Sequence, residues 1–382
     1  SYFDPALIEN GKEVFEQGYS CDIFTEKAVN FIRKNKNRPF FLYFAPNTPH
    51  HPLTVSDQYA QPYRDMGLSE QTARYYGMIT NLDENFGKIR RELNVHNLEH
   101  NTVILFLGDN GTSSLHKQDD LFETGLRGRK TYVYENGIRV PCCWYWPAGF
   151  EHNRKIDTPA AHIDVLPTLL DACGIKPYNP EQLDGVSLMP LLNGKAENWP
   201  QRSLYFQWNF DKPDFEINFA VRKDRWKLVQ PARNQKEAEQ MNYRIELYDI
   251  KQDPFEQNNL APEKPRLVEK MLAQYHKWVK RIKADMPKPQ YIPVGTEHEN
   301  PVLLTRQDWQ GVIGLGQLES RPGYWLIDVA ESGKYNIKLK ASRLFKETRD
   351  VYVKIADNEI SSHILYAETE CLLENVYLNK GK

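Results

Sequence analysis

Three loop segments carry residues that could do chemistry together: Gly108-Asp109-Asn110-Gly111, Asn47-Thr48-Pro49-His50-His51-Pro52 and Leu126-Arg127-Gly128-Arg129-Lys130. A carboxylate beside a carboxamide, flanked by glycines that permit close approach, offers hard oxygen ligands to Ca²⁺ or Mg²⁺. Asp109 and Asn110 are therefore expected to be metal ligands. Taken alone, the same run reads more readily as an Asx turn that ends a strand. The company changes that balance. A histidine (His50) and a lysine (Lys130) converging on a cation suit the binding of a tetrahedral oxyanion and the neutralisation of charge on a leaving oxygen. Each also has a plain reading, His50 as a surface loop residue and Lys130 as a solvated charge beside Arg127 and Arg129. The sequon Asn110-Gly111-Thr112 overlaps the expected ligand, so a glycan there would conflict with the site.

The elements that must position these loops follow from the apolar pattern. Val103 to Leu107 is a short, wholly apolar run ended by Gly108, as in a buried strand. Pro39 to Ala45 (PFFLYFA) reads as a central parallel strand. Between them Tyr75, Ile79, Leu82, Phe86, Ile89 and Leu93 form one helical stripe, expected to be core. Phe24 to Lys34 reads as a helix with Thr25 as N-cap. Arg139 to Trp146 is a further strand, and Ala161 to Cys173 a helix closed by Gly174. This rhythm predicts an α/β domain, a mainly parallel sheet flanked by helices. In open α/β sheets ligands bind beyond the carboxyl ends of the strands, where these loops would lie.

From Ser203 the pattern changes. Ser203 to Trp208, Glu216 to Arg222, Arg225 to Val229 and Arg244 to Asp249 predict a small antiparallel sheet. Pro265 to Ala284 predicts a helix packed through Val268, Leu272, Tyr275, Val279 and Ile282. After residue 300 the chain reads as all β, a β-sandwich module with a hairpin at Ser332-Gly333. Its end at Gly381-Lys382, where a turn would introduce another strand, suggests a truncated last strand. The expected organisation is 1–200 for the α/β domain, 201–285 for the antiparallel sheet and helix, 286–300 for a linker and 301–382 for the β module.

The 382 residues are 40% hydrophobic and 26% charged with net charge −2, an ordinary globular composition. There is no electrostatic case for nucleic acid or an anionic membrane as partner. No apolar run approaches the roughly 18 residues that span a bilayer. The 5 cysteines do not make a disulfide framework. Cys142 and Cys143 are expected to be buried small hydrophobes. No Cys or His spacing suggests zinc.

Eight segments, in order over residues 1 to about 285, resemble the sulfatase family (arylsulfatase type) of the alkaline-phosphatase-like superfamily. They are PFFLYFAPNTPHHP, ARYYGMITNLDENFGKI, NTVILFLGDNG, LRGRKTYVYENGIRVP, HIDVLPTLLDACGI, DGVSLMPLLNG, RWKLV and ELYDIKQDPFEQNNLA. The resemblance implies an alkaline-phosphatase-like fold and a sulfuric ester hydrolase acting on an aryl or carbohydrate sulfate, a small molecule or a glycan. It implies Asp109 and Asn110 as metal ligands, usually of calcium. Lys130 would contact the sulfate and the ester oxygen. His50 would contact the sulfate and help protonate the departing alcohol, and His51 fits that place less well. A bacterial periplasmic or secreted location also follows from the resemblance.

Departures from the family pattern matter equally. The Cys/Ser-x-Pro-x-Arg segment that becomes formylglycine, the family's paired amino-terminal aspartates and a Gly-Lys-Trp-His segment do not occur in these residues. The expectation is a carboxyl-terminal part of a sulfatase, with the nucleophile and the other ligands upstream. Arg129 replaces a usual glycine, Val133 a usual threonine or leucine, and Asn136 a usual glycine. Trp309 and Tyr324 could line a sugar platform, with sandwich core the favoured reading. Two other functions remain open: a phosphodiesterase or phosphonate hydrolase of the same superfamily, and a non-catalytic glycan-binding fragment.

Overall fold

The computed structural model describes residues 2–113, 120–150, 153–197, 199–209, 213–286, 290–305, 308, 324–340, 347–355 and 358–381. The chain divides into two units, Ser1–Asn209 with Asp214–Lys277, and Phe210–Pro213 with Trp278–Lys382.

The first unit opens with a hairpin of β1 (Ala6–Glu9) and β2 (Lys12–Phe15). It lies outside the expected elements, although Asn10-Gly11, both at positive φ, is the strongest short-range hairpin signal. Helix α1 (Ser20–Asn35) starts earlier than expected, after Tyr19. Thr25 is not its cap: it is buried inside the helix, and its hydroxyl donates to the Cys21 carbonyl at 2.7 Å. Helix α2 (Asp57–Asp65) precedes α3 (Glu70–Val95), which Ser69 caps by accepting the Thr72 N–H.

The expected stripe of α3 is only partly core. Ile89 and Leu93 are buried, yet Ile79 is 39% exposed, and the inner face instead carries Met78, Asn81 and Asn85. The reason is a polar seam. Asp22 of α1 accepts from the amide nitrogens of Asn81 at 2.9 Å and Asn85 at 2.7 Å. Hydrogen-bonded amides can be buried, so hydrophobic periodicity alone misplaces this face. Further along, Arg33 donates to both oxygens of Glu92 at 2.7 and 2.8 Å.

Residues 39–45 pair with no strand. Phe40, Leu42 and Phe44 pack on Ala28, Ile32, Ile89 and Leu93, while Phe41 and Tyr43 face solvent. Strand β3 (Ile104–Leu107) is followed by the short helix α4 (Glu135–Ile138) and strand β4 (Cys142–Tyr145). β3 and β4 pair antiparallel, Ile104 opposite Tyr145 and Leu107 opposite Cys142. The fold is mixed α/β, but among the described residues this unit forms no parallel sheet. Apolar runs report burial and not strand direction, and the segment after β3 doubles back where a crossover was expected. A ribbon of two strands also cannot bury all its side chains, so Cys142 and Cys143 are exposed rather than core.

Helix α5 (Val165–Ala172) follows a single turn at His162–Asp164. Gly174 closes it as expected, with its N–H on the Asp171 carbonyl. Helix α6 (Met189–Leu192) leads to β5 (Ser203–Gln207), β6 (Phe219–Lys223), β7 (Trp226–Gln230), α7 (Gln235–Gln240) and β8 (Glu246–Asp249). The four strands pair antiparallel in sequence order, as expected. Helix α8 (Pro265–Ala284) has the expected bounds, and Tyr275 stacks on Phe219 with ring centroids 3.9 Å apart.

The second unit holds β9 (Ile292–Val294), β10 (Ile327–Val329), β11 (Gly333–Lys340), β12 (Arg349–Ile355), β13 (Asn358–Ile364) and β14 (Glu370–Leu378). They form three two-stranded ribbons, β9 parallel to β10, β11 antiparallel to β14, and β12 antiparallel to β13. One apolar cluster, including Val329, Cys371, Leu373, Val376 and Leu378, gathers them. The module is β as expected, without an assembled two-sheet sandwich among the described residues. The expected linker contributes β9. The Ser332-Gly333 hairpin does not form, because alternation fixes which face a strand buries and not which strand it joins. Tyr324 is 48% exposed rather than core, and Trp309 lies outside the described residues.

Candidate functional site

Backbone hydrogen bonds draw two of the three loops together. Gly108 donates to the Pro141 carbonyl at 3.0 Å, Gly111 to Gly137 at 3.1 Å, and Lys130 to Thr112 at 2.8 Å. The segments holding Asp109, Asn110 and Lys130 thus form one stitched unit. Its closeness demands glycine. A Cβ on Gly111 would stand 1.8 Å from the Asn136 carbonyl oxygen, and one on Gly137 would stand 1.9 Å from that of Tyr132.

Asp109 and Asn110 are exposed just past β3. One Asp109 oxygen accepts the Asn110 N–H at 2.8 Å, and the Asn110 side-chain nitrogen donates to the Gly111 carbonyl at 3.2 Å. That orientation leaves the second Asp109 oxygen and the Asn110 side-chain oxygen as two hard donors. The donor set fits a divalent cation in kind, but Ca²⁺ takes about six to eight oxygens. Among the described residues no three His, Cys, Asp or Glu side chains gather in a metal-binding group.

Lys130 is half-buried and has no ion pair among the described residues. Its expected basic neighbour Arg127 is no solvated charge. Arg127 donates to the Tyr248 hydroxyl at 2.7 Å and the Glu256 carbonyl at 2.9 Å, with its guanidinium 4.0 Å from the Tyr134 ring centre. Beneath this segment lies a buried charge cluster that sequence reasoning missed. Lys227 and Glu256 are fully buried and Glu135 nearly so. The Lys227 ammonium stands 2.9 Å from an oxygen of each glutamate. Burial pushes the Glu256 carboxyl above the usual carboxylate range. Beside it Glu246 accepts from Tyr134 at 2.6 Å and Tyr248 at 2.7 Å. The available signal was a lysine inside the apolar strand Trp226-Lys227-Leu228-Val229, where only a paired charge can be buried.

His162 was also missed. Its Nε2 lies 2.8 Å from the Gly108 carbonyl, which makes Nε2–H the donor and braces the residue before Asp109. The adjacent Asp164 is fully buried. It accepts from two Arg202 nitrogens at 2.6 and 2.5 Å, and from the backbone of Ala161 and Val186.

His50 is exposed, and none of its hydrogen bonds reaches the other two segments. Its N–H donates to Asn47, and its Nδ1 lies 2.8 Å from the His51 carbonyl. A carbonyl can only accept, so Nδ1 carries the proton and Nε2 is left to the outside. The Tyr2 hydroxyl lies 2.6 Å from the His50 carbonyl and 2.7 Å from that of Asn47, with one proton to share between them. Cys21, fully buried below, has its thiol pushed up to about 11 by burial. It is poorly placed to act as a nucleophile.

Known proteins similar to this chain are sulfatases. The sulfatase family model matches residues 2–175, and that of the N-sulphoglucosamine sulphohydrolase C-terminal region matches residues 125–285. The chain is 28% identical to the uncharacterized sulfatase YdeN of Escherichia coli over 71% of this chain and 52% of that protein. It is 29% identical to an N-acetylgalactosamine-6-O-sulfatase of Bacteroides thetaiotaomicron over 66% of this chain and 49% of that protein. The chain thus spans about half the length of these relatives. Among solved structures it resembles Ps i-CgsB in complex with k-i-k-neocarrahexaose, at 27% identity and TM-score 0.62, covering 72% of this chain and 58% of that one.

Proposed function

Because this chain belongs to the sulfatase family, we propose that the protein hydrolyses a sulfate ester of a carbohydrate. The observation that carries this reading is the bond from the Lys130 N–H to the Thr112 carbonyl, which joins the lysine's segment to that of Asp109 and Asn110. An N-acetylgalactosamine-6-O-sulfatase among the relatives and a carrageenan oligosaccharide on a structural neighbour support a sugar substrate.

In this reading Asp109 and Asn110 would hold a Ca²⁺ or Mg²⁺ ion, which when bound supplies positive charge to the sulfuryl oxygens. Lys130 places its ammonium against the same oxygens and the ester oxygen. His50 takes a proton on Nε2 while Nδ1–H stays on the His51 carbonyl, and the resulting imidazolium protonates the departing alcohol. The formylglycine nucleophile and the remaining ligands would come from residues other than these 382. Residues 1–200 and 201–285 would together make the catalytic domain, with 301–382 an accessory β module. No described helix is long and apolar enough to cross a membrane, and the proposed place of action is the periplasm or the outside of a bacterium.

The test is turnover by the whole protein of 6-sulfated N-acetylgalactosamine and a sulfated galactan oligosaccharide, beside matched phosphate esters. Lys130→Ala is expected to lower kcat/KM for the sulfate ester by about 10²–10³, the range seen when one charge-stabilising donor is removed. Its melting temperature should stay unchanged. Preferred turnover of phosphate would favour a phosphodiesterase, and glycan binding without turnover would favour a binding module. Either result, or an unaffected Lys130→Ala, overturns the reading.

A further inference from the structure

We infer that Lys227 and Glu256, on and beyond the antiparallel sheet, are positioning residues for Lys130. This rests on the sulfatase reading only for what Lys130 does, not for how it is held. The segment from Arg127 to Pro141 has little regular structure beyond the four residues of α4. Its shape is set by bonds at its two ends and, beneath, by Asn218 on the Thr131 carbonyl, Glu246 on the Tyr134 hydroxyl and a charged clamp on Glu135. Asn136 donates its N–H to the Arg127 carbonyl at 2.8 Å and its side-chain amide to Gly128 at 3.1 Å, closing a loop around Lys130. Glu135, the residue before this closure, is the one the sheet grips. Its N–H donates to one Glu256 oxygen at 2.7 Å, and its carboxylate takes the Lys227 ammonium at 2.9 Å. The same ammonium stands 2.9 Å from the other Glu256 oxygen. Backbone and side chain of one residue are thus fixed at once by a lysine and a glutamate with no exposed surface.

Two features give this clamp a purpose beyond packing. First, two carboxylates and one ammonium buried together are costly to assemble, and an apolar trio of the same shape would stabilise as well or better. What the charges add is a fixed register, since each hydrogen bond is lost if Glu135 slides. Second, the register is passed on. Gly137, two residues along, receives the Gly111 N–H, and Lys130 donates to Thr112. Any slip of Glu135 therefore moves Lys130 relative to Asp109 and Asn110. Arg139, with a guanidinium nitrogen 3.8 Å from the second Glu135 oxygen, and Arg222 of β6 are further cations near this carboxylate.

Residue-resolved amide hydrogen exchange on the whole protein tests the inference without turnover. In Lys227→Met the amides of Gly111, Lys130, Asn136 and Gly137 should exchange about tenfold faster or more, with α3 and α8 unchanged. The double variant Lys227→Met with Glu256→Gln leaves the Glu135 carboxylate without its lysine, so these amides should stay at least as fast as in Lys227→Met. If Lys227→Met does not fold, Glu256→Gln carries the test. It keeps an acceptor for the Glu135 N–H and should speed the four amides about threefold. Unchanged exchange at these positions, uniform acceleration across the chain, or parent-like exchange in the double variant would each overturn the inference. On a sulfate ester, Glu256→Gln in the whole enzyme should lower kcat/KM about tenfold with the melting temperature held within about 3 °C. A parent enzyme that turns over no sulfate ester would refute the proposed activity, and the exchange result would still decide the positioning role.

Discussion

The two arms of the candidate site are held in opposite ways. The arm bearing Lys130, Asp109 and Asn110 stands on buried charge. Lys227 and Glu256 fix Glu135, while Asp164 with Arg202 fixes the turn that sets His162 on the Gly108 carbonyl. The arm bearing His50 is held by the Tyr2 hydroxyl, by Ser20, whose hydroxyl donates to the Asn47 side-chain oxygen at 3.4 Å, and by its own turn. Groups that hold charge against a substrate need a fixed geometry. A group that delivers a proton must reach an atom whose position depends on the bound ester, and a lightly tethered loop can adjust to it. The difference also suggests where substitution should be felt: globally beneath the first arm, locally in the second.

The largest effect should come from Asp164→Ala. It leaves the Arg202 guanidinium, 16% exposed, without its carboxylate, and strips two backbone N–H groups of their acceptor. Removing one partner of a buried pair typically costs about 3–5 kcal/mol. Urea unfolding should show that loss, and exchange at Gly108 and Gly111 should quicken as His162 comes away. A cost below about 1 kcal/mol would mean that Asp164 does not anchor this arm.

Tyr2→Phe should cost less, about 1–2 kcal/mol, the penalty of leaving a buried acceptor unsatisfied. Its signature would be faster exchange of the His50 amide, with Lys130 unmoved. If Tyr2→Phe disturbed both arms equally, the contrast between them would fail.

Some of this was legible in the sequence. The antiparallel sheet and α8 follow from alternation and helical steps that tertiary contacts reinforce, as at Tyr275 on Phe219. The GDNG turn and Lys130 were singled out by their company and by the family resemblance, since each taken alone has a plain structural reading. The parallel sheet was misjudged because a run such as Pro39 to Ala45 reports apolarity on both faces. Only Phe40, Leu42 and Phe44 are packed within this unit. The clamps were missed for a different reason. Lys227, Glu135, Glu256 and Asp164 look like ordinary surface residues until folding brings residues 92 and 121 positions apart to the same point.

The smallest expected effect is one of sign. The Lys130 arm rests on one displaced carboxylate, and another, in the helices of the same unit, is displaced in the opposite direction. Glu92, between α1 and α3, is held below the ordinary value of 4.5 by its hydrogen bonds to Arg33. Glu256, beneath Lys130, is held above 4.5 by burial. A depressed carboxyl contributes stability that is present above its unfolded pKa and lost as pH falls through its folded value. A raised one binds more protons folded than unfolded between 4.5 and its folded value, so its contribution falls as pH rises through that window. Urea unfolding at steps from pH 7 to pH 3.5 should separate them. Glu92→Gln should blunt the decline below pH 4.5. Glu256→Gln should instead remove a gain that the parent makes on acidification toward pH 4.5. Identical pH profiles for the two variants would mean that burial at Glu256 and the Arg33 pair at Glu92 do not displace the two carboxyls in opposite directions.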